Sequence, residues 1–139
     1  MDEDKKKEEK IESTSEASEK PAVLIVEDDS VLKNMYMQKL KNDGYDVYGA
    51  SDGNEGLEIF NKEKIDFILT DIMLPKMSGT EFLAKIRKTK RGKNLPVVAW
   101  SNLQDEEEEK KAHELGVKEF LIKSTLSLEQ ISEVVKKYV

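Results

Sequence analysis

The sequence predicts an α/β fold, a parallel sheet of five strands with five helices packed on its two faces. Three observations carry that expectation. Short apolar runs rich in β-branched residues recur without the apolar–polar alternation of a half-exposed strand. Segments of helical periodicity separate them, as parallel neighbours require. Gly, Pro, Asn and Asp fall at the boundaries between the two kinds of segment.

The first strand is Ala22-Val23-Leu24-Ile25-Val26, apolar at every position and therefore expected to be covered on both faces. Asp29 or Ser30 can cap the helix that follows, whose inward face is expected to carry Leu32, Met35, Tyr36 and Leu40. Asn42-Asp43-Gly44 stops that helix. Asp46–Ala50 reads as the second strand, and Gly53–Lys62 as a helix with Leu57 and Phe60 inward. Phe67-Ile68-Leu69-Thr70 is the third strand, followed by a loop punctuated by Pro75 and Gly79. Thr80–Lys88 is predicted helical, burying Phe82, Leu83 and Ile86. The basic loop Lys88–Lys93 leads through Pro96 to the strand Val97-Val98-Ala99-Trp100. Asp105–Leu115 is helical and ended by Gly116. Glu119–Ile122 is the fifth strand, and Leu128, Ile131, Val134, Val135 and Tyr138 line one face of the last helix.

Composition narrows the function. With no cysteine there is no disulfide framework, thiolate nucleophile or Cys-based zinc site, and a single histidine, His113, leaves little for a His-rich centre. No apolar stretch approaches the ~18 residues of a membrane span, and the amino terminus lacks a signal-peptide core, so a cytoplasmic protein with no membrane partner is expected. The net charge of −6 argues against nucleic acid as a partner. Residues 1–20 carry eight acidic and five basic side chains around the one sizeable apolar residue Ile11, too little to offset the entropy of ordering them. They are expected to form a disordered charged tail before a domain spanning residues 21–139.

Ligands of open parallel sheets bind beyond the carboxyl ends of the strands. There the sequence places Glu27-Asp28-Asp29 after strand one, Asp71 after strand three, Ser101 after strand four and Lys123 after strand five. Clustered carboxylates repel, and desolvation makes each harder to ionise. An oxygen-seeking divalent cation such as Mg²⁺ relieves that conflict. A carboxylate can also attack phosphorus to give an acyl phosphate, a reaction that needs chiefly alignment and charge neutralisation. The metal, the Lys123 ammonium and the Ser101 hydroxyl with backbone N–H groups would then each take one phosphoryl oxygen. Asp29 is read as a helix cap rather than a ligand.

Four segments together, Val23-Leu24-Ile25-Val26-Glu27-Asp28-Asp29, Ile68-Leu69-Thr70-Asp71-Ile72-Met73-Leu74-Pro75-Lys76-Met77-Ser78-Gly79, Pro96-Val97-Val98-Ala99-Trp100-Ser101 and Phe120-Leu121-Ile122-Lys123, resemble the receiver domain of two-component response regulators. The resemblance covers residues 22–139. It implies a flavodoxin-like doubly wound sheet of strand order 2-1-3-4-5, an order whose standard examples include a chemotaxis member of this same family. It further implies Asp71 as phosphoacceptor, Asp28 as a direct Mg²⁺ ligand, Glu27 acting mainly through water, and a backbone carbonyl from Met73. Ser101 would be the switch hydroxyl, Phe120 the aromatic that changes rotamer with it, and Lys123 the phosphoryl-binding lysine. Ser124 stands where the family usually has proline, Asn102 where it has a small residue, and Met73 and Leu103 are apolar where many members are polar. Trp100 is large for its strand position.

The resemblance implies a protein that is not an enzyme acting on a separate substrate. Instead it would accept a phosphoryl group from a sensor histidine kinase or phosphotransfer protein and present a changed surface of helix 4, strand 5 and helix 5 to an output protein. With Val139 directly after the last helix, a stand-alone receiver is expected. The alternative is a receiver-like adaptor that binds partners without phosphorylation. An FMN-binding flavodoxin is disfavoured because Glu27-Asp28-Asp29 would repel a phosphate. An aspartate-based phosphatase is disfavoured because Met73 stands where it needs a second acid. The Asp105–Lys111 run and the basic residues Lys85, Arg87, Lys88, Lys90, Arg91 and Lys93 are read as solvated surface, Trp100 as core, and His113 as structural or exposed.

Overall fold

The computed structural model describes residues 19–139, so the charged segment 1–20 lies outside the described residues except for Glu19 and Lys20. Five strands and five helices alternate: β1 (Ala22–Val26), α1 (Ser30–Asn42), β2 (Asp46–Ala50), α2 (Gly53–Lys62), β3 (Phe67–Asp71), α3 (Gly79–Arg87), β4 (Val97–Ser101), α4 (Glu106–Glu114), β5 (Glu119–Ile122) and α5 (Leu128–Tyr138). All pairings are parallel and the sheet order is β2-β1-β3-β4-β5. The chain direction across the sheet therefore reverses at β1, with β2 on one side and β3 on the other.

Alternation within each strand divides the core between two layers. Leu24, Val26, Ile68, Val97 and Ala99 pack beneath α2, α3 and α4 with Phe60, Phe82, Leu83, Ile86 and Ala112. Val23, Ile25, Phe67, Leu69, Val98 and Trp100 pack beneath α1 and α5 with Tyr36, Leu40, Ile131 and Val135. β1, β3 and β4 are buried throughout, as their unbroken apolar runs require.

The expected boundaries move in small, explicable ways. β3 extends to Asp71 and β4 to Ser101, because Asp71 still pairs with Trp100 and Ser101 with Ile122. The third helix starts at Gly79, one residue early, since Ser78 and Glu81 form a capping box. Asp105 is the cap of α4 rather than its first residue, accepting from the amides of Glu107 and Glu108. Met35 is not on the inward face of α1 but 44% exposed. At about 100° per residue, Leu32, Tyr36 and Leu40 define a stripe whose partly buried neighbour is Met37, leaving Met35 on the other side. The reason lies at the sheet edge, where Met37 and Lys33 close over the bare Cα of Gly49 on β2.

Two residues of the basic cluster also act as structural clamps, Arg87 half-buried and Arg91 while still exposed. Arg87 donates to the carbonyls of Leu115 (2.8 Å) and Gly116 (3.1 Å) at the end of α4, and to those of Gly92 (2.8 Å) and Leu95 (2.6 Å) in the loop before β4. Arg91 donates to the carbonyls of Phe60 and Glu63 at the end of α2, with its guanidinium 4.6 Å from the centre of the Phe60 ring. Both arginines neutralise helix carboxyl ends, where unpaired carbonyls concentrate negative charge. His113 is exposed and faces Glu109 at 3.6 Å.

Candidate functional site

The site forms where β1, β3, β4 and β5 end. Beyond Val26 the backbone stays extended, with the Glu27 amide donating to the Ala50 carbonyl at 2.9 Å, so Glu27 is carried inward and fully buried. Asp28 then emerges exposed. Asp29 is taken up by α1, its Oδ1 accepting from the amides of Val31 (3.0 Å) and Leu32 (3.1 Å), as a capping residue should. Asp71 closes β3 and is 3% exposed. Because β1 and β3 are sheet neighbours, one carboxylate oxygen each from Glu27, Asp28 and Asp71 falls within 4.8 Å of the others.

Lys123 follows β5 at the start of a single 3₁₀ turn (Lys123–Thr125). Its ammonium donates to Asp71 Oδ2 at 2.6 Å and lies 2.6 Å from Glu27 Oε1. Asp71 Oδ1 accepts from the Met73 amide at 2.9 Å, so both oxygens of the carboxylate are oriented. Ser101 is buried at the end of β4, its Oγ accepting from the Leu103 amide at 3.2 Å. Phe120 lies half-buried against the layer under α2, α3 and α4, in register with Ala99. The side chains of Met73 and Leu103 are 66% and 71% exposed, standing as apolar residues at the rim.

Electrostatics follow from this packing. Burial pushes the Glu27 carboxyl above its ordinary range, opposed by Lys123 and the Asp29 amide and reinforced by Asp71. For Lys123, burial favours the neutral amine, but the hydrogen bond to Asp71 and the charges of Asp71 and Glu27 outweigh it and hold the ammonium charged. Glu27 Oε1 is buried and makes no well-aligned hydrogen bond among the described residues, facing the Lys123 ammonium as a bare charge. A hard cation fits this donor set: three clustered carboxylates supply oxygen ligands, and one buried oxygen has unused acceptor capacity.

One residue that shapes the site is not legible as functional from the sequence. Gly79 was seen only as loop punctuation. Its amide donates to the Ile72 carbonyl at 2.8 Å, and a Cβ there would collide with the Asp71 carbonyl oxygen and stand 2.7 Å from the Ile72 Cα. The loop after Asp71 therefore closes tightly only with glycine at this position. Glu27, the acid expected to meet the metal mainly through water, also stands as an ion-pair partner of Lys123 at 2.6 Å.

The fold and site together define an open doubly wound α/β protein with an acidic pocket at the reversal of strand order, where such sheets bind ligands. The family model described as the response regulator receiver domain matches residues 23–136, and the chain belongs to that family. Among solved structures it is similar to the chemotaxis response regulator CheY4 of Vibrio cholerae, at 26% identity and a TM-score of 0.80, covering 86% of this chain and 99% of that one. A response regulator receiver protein from Pseudomonas putida is 30% identical with a TM-score of 0.80, covering 87% of this chain and 99% of that one. The probable transcriptional regulator ycf27 of Porphyridium aerugineum is 29% identical over 105 residues, which are 76% of this chain and 42% of that relative's length. This chain thus carries the receiver part of two-component signalling. Among the described residues no helix is long and apolar enough to cross a membrane.

Proposed function

We propose that the chain accepts a phosphoryl group on Asp71 from a histidine kinase or phosphotransfer protein, in a Mg²⁺-dependent reaction, and acts as a switch rather than as an enzyme on a separate substrate. The observation that carries this reading is the convergence of Glu27, Asp28 and Asp71 within 4.8 Å, with the Lys123 ammonium 2.6 Å from Asp71. An Asp71 carboxylate oxygen attacks the donor phosphorus, the bond from phosphorus to the donor imidazole nitrogen breaks, and that nitrogen keeps the electron pair. Lys123 is positioned to transfer its contact from the carboxylate to a phosphoryl oxygen. The Met73 amide, already on Asp71 Oδ1, fixes the orientation of the attacking group.

Glu27, Asp28, Asp71 and the backbone carbonyl of Met73 are the groups that would hold Mg²⁺, which when bound supplies charge neutralisation for the incoming phosphoryl group. Ser101, at the end of β4, and Phe120, within β5, are the residues through which a phosphorylated Asp71 would alter the surface of α4, β5 and α5 for an output partner. Phosphate-affinity electrophoresis after incubation with Mg²⁺ and a small phosphodonor tests the assignment. A retarded species should form with the wild-type chain and be absent from Asp71→Asn; label persisting in that variant would refute it.

A further inference from the structure

Trp100 occupies the place on β4 that the Lys123 side chain must cross to reach β3. Asp71 pairs with Trp100 and Trp100 with Leu121, so the lysine two residues beyond Leu121 spans the end of β4 to meet the acid. In doing so it brings its ammonium to 5.5 Å from the centre of the indole ring, within the range of cation–π attraction. The indole is fully buried and braced by Tyr36 of α1, the ring centres 4.7 Å apart and the planes tilted by 52°. Its Nε1–H finds no acceptor among the described residues. A buried donor left unpaired is unfavourable, so a position that required only apolar bulk would be better filled by Leu or Phe. What tryptophan offers over either is the broadest and most electron-rich face for a cation, and that face is turned to the lysine that meets Asp71 and Glu27.

We propose that Trp100 is a positioning residue for Lys123: the indole face, held by Tyr36, keeps the ammonium over the end of β4 and within reach of the group on Asp71. This rests on the phosphoacceptor reading above for its consequence, though not for the contact itself. It extends the site beyond hydrogen-bonding groups to an aromatic wall on the α1 side of the sheet. Bulk alone at residue 100 would keep the fold but let the lysine stray, weakening its hold on a phosphoryl oxygen.

The test is a double-mutant cycle on the intact chain, with Trp100→Phe, Trp100→Leu, Lys123→Met and the two combined variants. Binding of beryllofluoride with Mg²⁺ is measured by calorimetry, and folding is checked by circular dichroism. Removing the indole face by Trp100→Leu should weaken beryllofluoride binding about 3- to 30-fold, with Trp100→Phe intermediate, and neither change should matter in the Lys123→Met background. Equal losses with and without Lys123 would mean that Trp100 acts by packing alone, and would overturn the proposal. An independent reading needs no ligand: the Lys123 ε-methylene protons should resonate upfield in the wild-type spectrum through the indole ring current, and return to ordinary positions in Trp100→Leu. An unshifted Lys123 in the wild type overturns the proposal even if Trp100→Leu fails to fold. A wild-type chain that shows the upfield shift but binds no beryllofluoride refutes the phosphoacceptor reading while leaving the contact established.

Discussion

Met73 and Leu103 project from the two loops that flank the pocket, each by its backbone amide bound to a site oxygen and each with an exposed apolar side chain. Their amides anchor Asp71 and Ser101, while their side chains offer no hydrogen bond to a water approaching the pocket. A phosphoryl group on Asp71 is therefore expected to be long-lived. Met73→Asn and Leu103→Gln should each shorten its half-life, as followed by loss of the retarded species on electrophoresis; a lifetime unchanged or lengthened by both would contradict the shielding. At this scale much was legible in the sequence. Asp71, Asp28 and Lys123 follow apolar runs, and only the carboxyl ends of strands put such groups on a common rim. The direct pairing of Glu27 with Lys123 was not legible, because it depends on a side chain turning inward after β1 while its neighbour Asp28 turns out.

Capping and clamping decide how the elements hold their places. α3 and α5 begin in capping boxes, Ser78 with Glu81 and Ser127 with Gln130, each visible as a three-residue spacing in the chain. Arg87 is different, for nothing in a run of basic residues separates a half-buried clamp from solvated lysines. Its planar fork reaches carbonyls at the end of α4 and in the loop before β4 at once, a geometry that a lysine ammonium cannot reproduce. Arg87→Ala should destabilise the domain by about 2 kcal/mol or more, since hydrogen bonds to a charged donor contribute ~1.5–3 kcal/mol and carbonyls would be left unpaired. Arg87→Lys should recover little of that loss. Urea denaturation of the three proteins checks both statements, and full recovery by lysine would show that charge rather than the fork is what matters.

Across the whole molecule, stability and the acidic pocket are linked. Three carboxylates held together repel, and Lys123 balances only part of that charge within the pocket. A cation that binds the folded pocket and not the unfolded chain stabilises the fold, by about 2.7 kcal/mol at about 100 times its dissociation constant. Added Mg²⁺ should accordingly raise the melting temperature by several degrees. Chelation should reverse the rise, and Asp28→Asn should remove most of it. A melting temperature indifferent to Mg²⁺ in the wild type would argue against a cation at these residues. Replacing the exposed Asp28 has no such effect by packing alone, so the variant separates metal binding from general stability.

Local patterning determined the elements of this protein and the chemistry at their ends. Continuous apolar runs require strands buried on both faces, helical spacing supplies the covering layers, and acids, a hydroxyl and a lysine follow the strands at four separate places in the chain. Only the tertiary structure decided how those groups meet. The pairing of Glu27 with Lys123 and the lysine crossing the Trp100 ring depend on register between strands far apart in sequence, and the absence of room for a Cβ at Gly79 depends on how the loop after Asp71 folds back on itself. Side-chain periodicity reports which face a residue takes, whereas distances across a parallel sheet are fixed by neighbours that no local pattern names.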